Sequence, residues 1–159
     1  MAASVPFAPS DRHMTLEVAL LILNAASTWF MVGLIWFVQC VHYPMFAFWP
    51  REQFRIIALE HQKRTSRIVI PPIIVEFITS WLLLIWHPAH VWNGLLYAGV
   101  GSVMICAAST AFIQVPLHDK LAKHGWDEST HRKLVRSNWI RTIAWSIHGL
   151  ICCAMLASK

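Results

Sequence analysis

Three histidines, His42, His61 and His118, stand far apart in a chain of 159 residues, each beside a long apolar run. Imidazole nitrogens gathered from separate segments can ligate iron, copper or zinc, hold a haem iron, or act as general bases. Gln114 or Glu60 could supplement them. No HExxH and no paired Glu-x-x-His motif accompanies them, and the side chains of adjacent Glu60 and His61 point about 100° apart on a helix. A carboxylate-bridged di-iron site is therefore under-supplied. The same histidines also suit hydrogen-bonded structural or substrate-binding roles. Arg141 follows Asn138 by three residues, so the two share a helix face. A guanidinium there suits an anionic oxygen such as an enolate, a carboxylate or a lipid phosphate, or else it snorkels to the interface. Tyr43 could donate to a substrate oxygen or sit in an interfacial belt. Glu76 is the one acidic residue deep within an apolar run. His148 and Asn24 are its expected partners, in proton transfer, substrate contact or a polar lock that sets helix register.

These residues must be positioned by a membrane-embedded frame. The chain is 57% hydrophobic and only 13% charged, with 9 Trp, against about 25% charge in soluble domains. That composition excludes a disordered chain. Four Cys are too few for a disulfide scaffold, and they read as packing residues. Stretches of about 20 apolar residues are predicted at about 18–41, 68–86, 91–115 and 140–157. The leading segment lacks the basic region of a cleaved signal peptide. The fold class expected is all-α: a single domain over 1–159 forming an integral-membrane, up-down-up-down four-helix bundle.

Basic residues orient the bundle. Arg51, Arg55, Lys63, Arg64 and Arg67 lie between spans 1 and 2. Lys120, Lys123, Arg132, Lys133, Arg136 and Arg141 lie between spans 3 and 4. Of the 13 Lys and Arg only Arg12 and Lys159 lie elsewhere. Both loops are thus predicted to be cytoplasmic and both termini non-cytoplasmic, in a bacterial inner or plasma membrane. The charge reflects topology, so nucleic acid is not an expected partner. The loops are read as helical extensions: Pro50 at a helix start, Gly125 closing a helix and Asp127 capping the next. Pro71-Pro72 is expected to kink the second helix.

Steps of three and four predict the inward seams. They are Thr28, Met31, Ile35, Val38, His42 and Met45 in the first helix, and Phe54, Ile57, His61, Thr65, Ile68, Pro72 and Glu76 in the second. The third offers Met104, Ala107, Ala111, Gln114, His118 and Leu121; the fourth, Leu134, Asn138, Arg141, Trp145, His148 and Cys152. Counting 1.5 Å per residue from the loops brings His42, His61, Gln114, His118, Asn138 and Arg141 to the cytoplasmic half. Asn24, Glu76 and His148 form a deeper layer. His13, His87, His90, His124 and His131 are read as solvated or interfacial.

The segment QVPLHDKLAKHGWDESTHRKLVRSNWIRTIAW resembles the anthrone oxygenase-like family of small four-span membrane proteins. In that family a Val-Pro-Leu-Asn-x-x-Leu run closes the third helix and an Asn-x-x-Arg-Thr run opens the fourth. The matching residues are Val115, Pro116, Leu117, Leu121, Asn138, Arg141 and Thr142, in roughly the C-terminal third. His118 stands where the family has Asn, and His42, His61 and Glu76 lie outside its pattern. The resemblance implies oxidation of a hydrophobic aromatic or lipid-like substrate. A second likeness, in helix count and in Trp36, Phe37, Tyr43 and Pro44, is to the His-rich membrane proteins of haem biosynthesis and copper handling.

The leading expectation is a membrane-embedded oxidoreductase of oxygenase type, with membrane lipid around it and a hydrophobic small molecule as substrate. Asn138, Arg141, Glu76 and His148 are its candidate catalytic residues. His42, His61 and His118 are its candidate ligands for a transition metal, with haem as an alternative cofactor. Two other readings stand beside it. One is a non-enzymatic subunit of a respiratory or photosynthetic complex, or an oligomer of the chain itself. The other is a haem- or metal-handling protein or small transporter.

Overall fold

The computed structural model describes residues 10–158, with side chains from Leu16 onward. The expectation for His13 lies outside the described side chains, and most of the leading segment lies outside the described residues. Four helices are long and apolar enough to cross a bilayer: α1 (Leu16–Phe48), α2 (Phe54–Ile85), α3 (Asn93–His124) and α4 (Glu128–Ala157). Helix α1 itself begins at Ser10. At 32 residues, α2 is about 48 Å long, well beyond the roughly 30 Å of a hydrocarbon core. Each helix packs on its sequence neighbours, and α4 also packs on α1, which closes the ring.

Polarity is inverted relative to a soluble bundle. Phe112 is 81% exposed and Leu150 65%, whereas Asn24, Glu76, Asn138 and His148 are at most 1% exposed. An apolar exterior round a polar interior is the arrangement a lipid solvent favours. Two apolar clusters fill the rest of the core. One gathers Met31, Phe46, Phe54 and Trp145. The other, at the opposite end, gathers Leu20, Leu83, Leu96 and Met155.

The turns differ in part from expectation. Gly125 closes α3 with φ of 86°, a left-handed conformation open to glycine without a Cβ clash. Asp127 caps α4, its carboxylate accepting from the Thr130 N–H at 2.9 Å. Pro50, in contrast, does not start α2. The Gln53 N–H bonds the Pro50 carbonyl at 3.2 Å in a separate turn, and α2 begins at Phe54. Helix α2 runs on unbroken through Pro71 and Pro72.

Two local distortions matter for the site. Helices α1 and α3 each contain a five-residue π turn, Val38–His42 and Thr110–Gln114. Each is followed two residues on by a proline, Pro44 and Pro116. Proline has no N–H and its ring crowds the carbonyl four residues back. Widening the preceding turn relieves that crowding. The N–H groups of Tyr43 and Val115 accordingly bond the carbonyls five residues back, on Val38 and Thr110.

The extra residue shifts the seam. In α3 the buried positions run Ser102, Cys106 and Ser109, then jump five to Gln114. Uniform steps counted back from Gln114 land on Met104, which is 44% exposed. In α1 the shift buries Tyr43 and Phe46 and leaves Met45 outside. In α2 Ile68 is likewise exposed. The predicted α4 seam, which contains no proline, is buried at every position.

Helices α1 and α4 approach closely at Gly149, where an added Cβ would lie 3.3 Å from Trp29 and Val32. Gly149→Leu is expected to overpack this contact by about 1–3 kcal/mol and to lower the thermal midpoint of the purified protein in detergent. An unchanged midpoint would refute the close packing. At the cap, the Thr130 N–H and hydroxyl hold the Asp127 carboxyl below its ordinary value. The cap's contribution is full above the unfolded-state value and is lost as pH falls through the lower folded one. Asp127→Ala is therefore expected to lower the midpoint at neutral pH and to blunt its fall in acid.

Candidate functional site

Four helices contribute to one cavity of about 290 Å³, walled mainly by aliphatic side chains such as Leu34, Ile35, Val69 and Ile73. Its polar wall holds His42, Tyr43, His61, Gln114, His118 and Arg141. The sequence-derived cluster thus meets in space, with Asn138 directly behind Arg141.

Arg141 is 7% exposed. Its Nε and Nη2 donate to Asn138 Oδ1 at 2.9 and 2.5 Å. Nη2 also donates to the Tyr43 hydroxyl at 3.0 Å, and Nη1 lies 3.5 Å from Thr110 Oγ1. Asn138 is fixed in turn, because its Nδ2 donates to Gln39 Oε1 at 2.9 Å. The guanidinium has only donors, so Tyr43 must accept from it. The single Tyr43 proton then goes to His118 Nε2, 2.7 Å away. With the bond made in that direction, His118 Nε2 is the acceptor and its ring proton sits on Nδ1. The backbone carbonyl of Tyr43 is bonded by His131 Nε2 at 2.7 Å. His131 is thus a buried strut, not a solvated residue.

The other two imidazoles form a pair. His42 Nε2 lies 3.1 Å from His61 Nδ1, and the Thr65 hydroxyl lies 3.0 Å from that same nitrogen. The His61 and His118 rings are 5.7 Å apart. Among the described residues no three of His, Cys, Asp and Glu converge as a metal site. As placed, His42 Nε2, His61 Nδ1 and His118 Nε2 face protein partners.

Glu76 and His148 do not line the cavity. They form a layer beyond it, 2.8 Å apart through Glu76 Oε1 and His148 Nδ1. The carboxylate also accepts from Thr28 Oγ1 at 3.0 Å and, through Oε2, from Trp145 Nε1 at 2.9 Å. Asn24, expected beside Glu76, bonds its backbone carbonyl at 3.2 Å and the Thr79 and Ser80 hydroxyls at 2.9 Å each. Trp145 joins the two layers, for it borders the cavity and anchors on Glu76.

Several of these partners were not singled out by sequence reasoning. Gln39, Thr110 and the bridging role of Trp145 have no motif. The proline after Tyr43, which follows the π turn, is the feature of the sequence that could have revealed the burial of that side chain. No family model, curated relative or solved structure matches the chain.

Glu76→Ala would strand the Trp145 indole N–H, Thr28 and His148 in an apolar interior. A loss of about 3–5 kcal/mol is expected, read as failure to purify as a monodisperse folded protein. Glu76→Gln keeps an acceptor and should lose less. Equal tolerance of both variants would contradict the anchoring role.

Proposed function

We propose that the protein is a membrane-embedded oxidoreductase of oxygenase type acting on a hydrophobic, aromatic or lipid-like substrate. The four helices cross the bilayer in up-down-up-down order, with both basic loops in the cytoplasm and both termini outside. The cavity then lies in the cytoplasmic half, within reach of a molecule dissolved in the membrane. The observation that carries this reading is the Arg141–Tyr43–His118 chain on the wall of an otherwise apolar cavity.

Preorganised donors in a water-poor site act most strongly on charge that develops during reaction. Arg141 Nη1, with only a long contact to Thr110, is the donor for a developing oxyanion. Asn138 and Gln39 hold the guanidinium so that it need not reorganise. The His42–His61 pair supplies an imidazole nitrogen as general base. Tyr43 and His118 give a second place to pass a proton. Glu76 and His148 act by fixing Trp145, without touching the substrate.

A bound iron, copper, zinc or haem would supply the redox or Lewis-acid chemistry, and His42, His61 and His118 would be its holders. In their present arrangement they do not converge for this.

Oxygen uptake by membranes given hydrophobic aromatic or lipid-like substrates tests the proposal. Arg141→Ala is expected to lower turnover by about 10²–10³-fold, with His61→Ala and His118→Ala each impaired. Full activity in Arg141→Ala and His61→Ala would end the catalytic reading. Elemental analysis and an absorption spectrum of the purified protein address the cofactor. A colourless, metal-free protein that retains turnover under chelators would remove both metal and haem.

A further inference from the structure

Arg141 is a buried cation with no anion. Its partners, Asn138, Tyr43 and Thr110, are neutral, and among the described residues no carboxylate lies within ion-pair distance of it. Glu76 accepts from the Trp145 indole N–H. Asp119 borders the same cavity but makes no ion pair with Arg141. An uncompensated buried charge is costly, and here it stands at the edge of a cavity.

A second polar group bordering the same cavity is left open. Gln114 is 1% exposed, and its Nε2 donates to Ser137 Oγ at 2.9 Å. Ser137 uses its own proton on the Lys133 carbonyl at 2.7 Å, so Gln114 must turn its NH₂ that way. Its Oε1 is then an acceptor with no partner. Ser137 lies outside the cavity wall, whereas Gln114 borders it. Thr110, which touches Arg141 Nη1, and Gln114 are the two ends of the same π turn.

We propose that the cavity takes an apolar acid whose carboxylate meets Arg141 and whose neighbouring hydroxyl donates to Gln114 Oε1. The aliphatic walls take the tail. This rests on the reading that the cavity holds a hydrophobic ligand, and it adds the chemistry of the head.

The test is binding of three ten-carbon probes to the full chain in nanodiscs, corrected for uptake by empty nanodiscs. The probes are decan-1-ol, decanoate and 2-hydroxydecanoate. Decanoate is expected to bind about tenfold or more tighter than decan-1-ol, as for a hydrogen bond to a charged group. The 2-hydroxyl should add a further few-fold. Arg141→Gln should abolish the preference for the acid, and Arg141→Lys should keep part of it. Gln114→Met should remove only the gain from the 2-hydroxyl, and the decanoate affinity of that variant reports whether the cavity is intact. Equal binding of decan-1-ol and decanoate overturns the inference and leaves the hydrophobic cavity standing. No binding of any probe above empty nanodiscs overturns both. A hydroxyl gain that survives Gln114→Met removes Gln114 from the site.

Discussion

Arg141 sets the terms for the half of the bundle that holds the cavity. A guanidinium cannot be neutralised in a protein and brings five N–H donors with it. Held among apolar helices, it must be given acceptors. Asn138 and Tyr43 provide them, and each is itself held by another residue: Asn138 by Gln39, Tyr43 by His118 through its hydroxyl and by His131 through its carbonyl. Helices α1, α3 and α4 are thereby tied at one level by polar bonds whose directions are set by chemistry. Between helices long and apolar enough to cross a bilayer, lipid would offer little hydrophobic reason to associate, and such bonds would carry a share of the specificity that apolar packing carries in water.

The second layer obeys the same rule with acceptors in place of donors. Glu76 brings only acceptors when ionised, and Thr28, Trp145 and His148 bring the donors. Trp145 lies between the two layers, its ring 6.0 Å from the Arg141 guanidinium carbon and its N–H on Glu76. The cavity wall is therefore fixed from both sides by ionisable groups, which leaves its shape little freedom.

Much of this was legible in the sequence. Four apolar runs, two basic loops and the Gly125–Asp127 turn follow from composition and capping alone. The α4 seam was legible as well, because nothing interrupts the periodicity of that helix. His42, His61, His118, Asn138 and Arg141 were expected at one level and meet there. Glu76 and His148 were expected deeper and pair there. What was not legible has two causes, the first of them the register of α1 and α3. Counting by threes and fours assumes a uniform helix, and one additional residue in a turn moves every later side chain. The burial of Tyr43, and the exposure of Met45 and Met104, follow from that shift. Hydrogen-bond partners such as Gln39 and Thr110 depend on contacts between helices, which periodicity along one helix does not encode.

The paired π turns have a mechanical consequence. Each is an α-helix carrying one surplus residue, held open because the following proline cannot complete the ordinary ladder. If either relaxed to a regular α-helix, the chain beyond it would rotate by about 100° and withdraw Tyr43 or Gln114 from the cavity. The prolines block that slippage on two facing helices at once. Pro44 and Pro116 therefore act as rotational stops. Through them, the aim of side chains inside the cavity is decided by residues that bind nothing themselves.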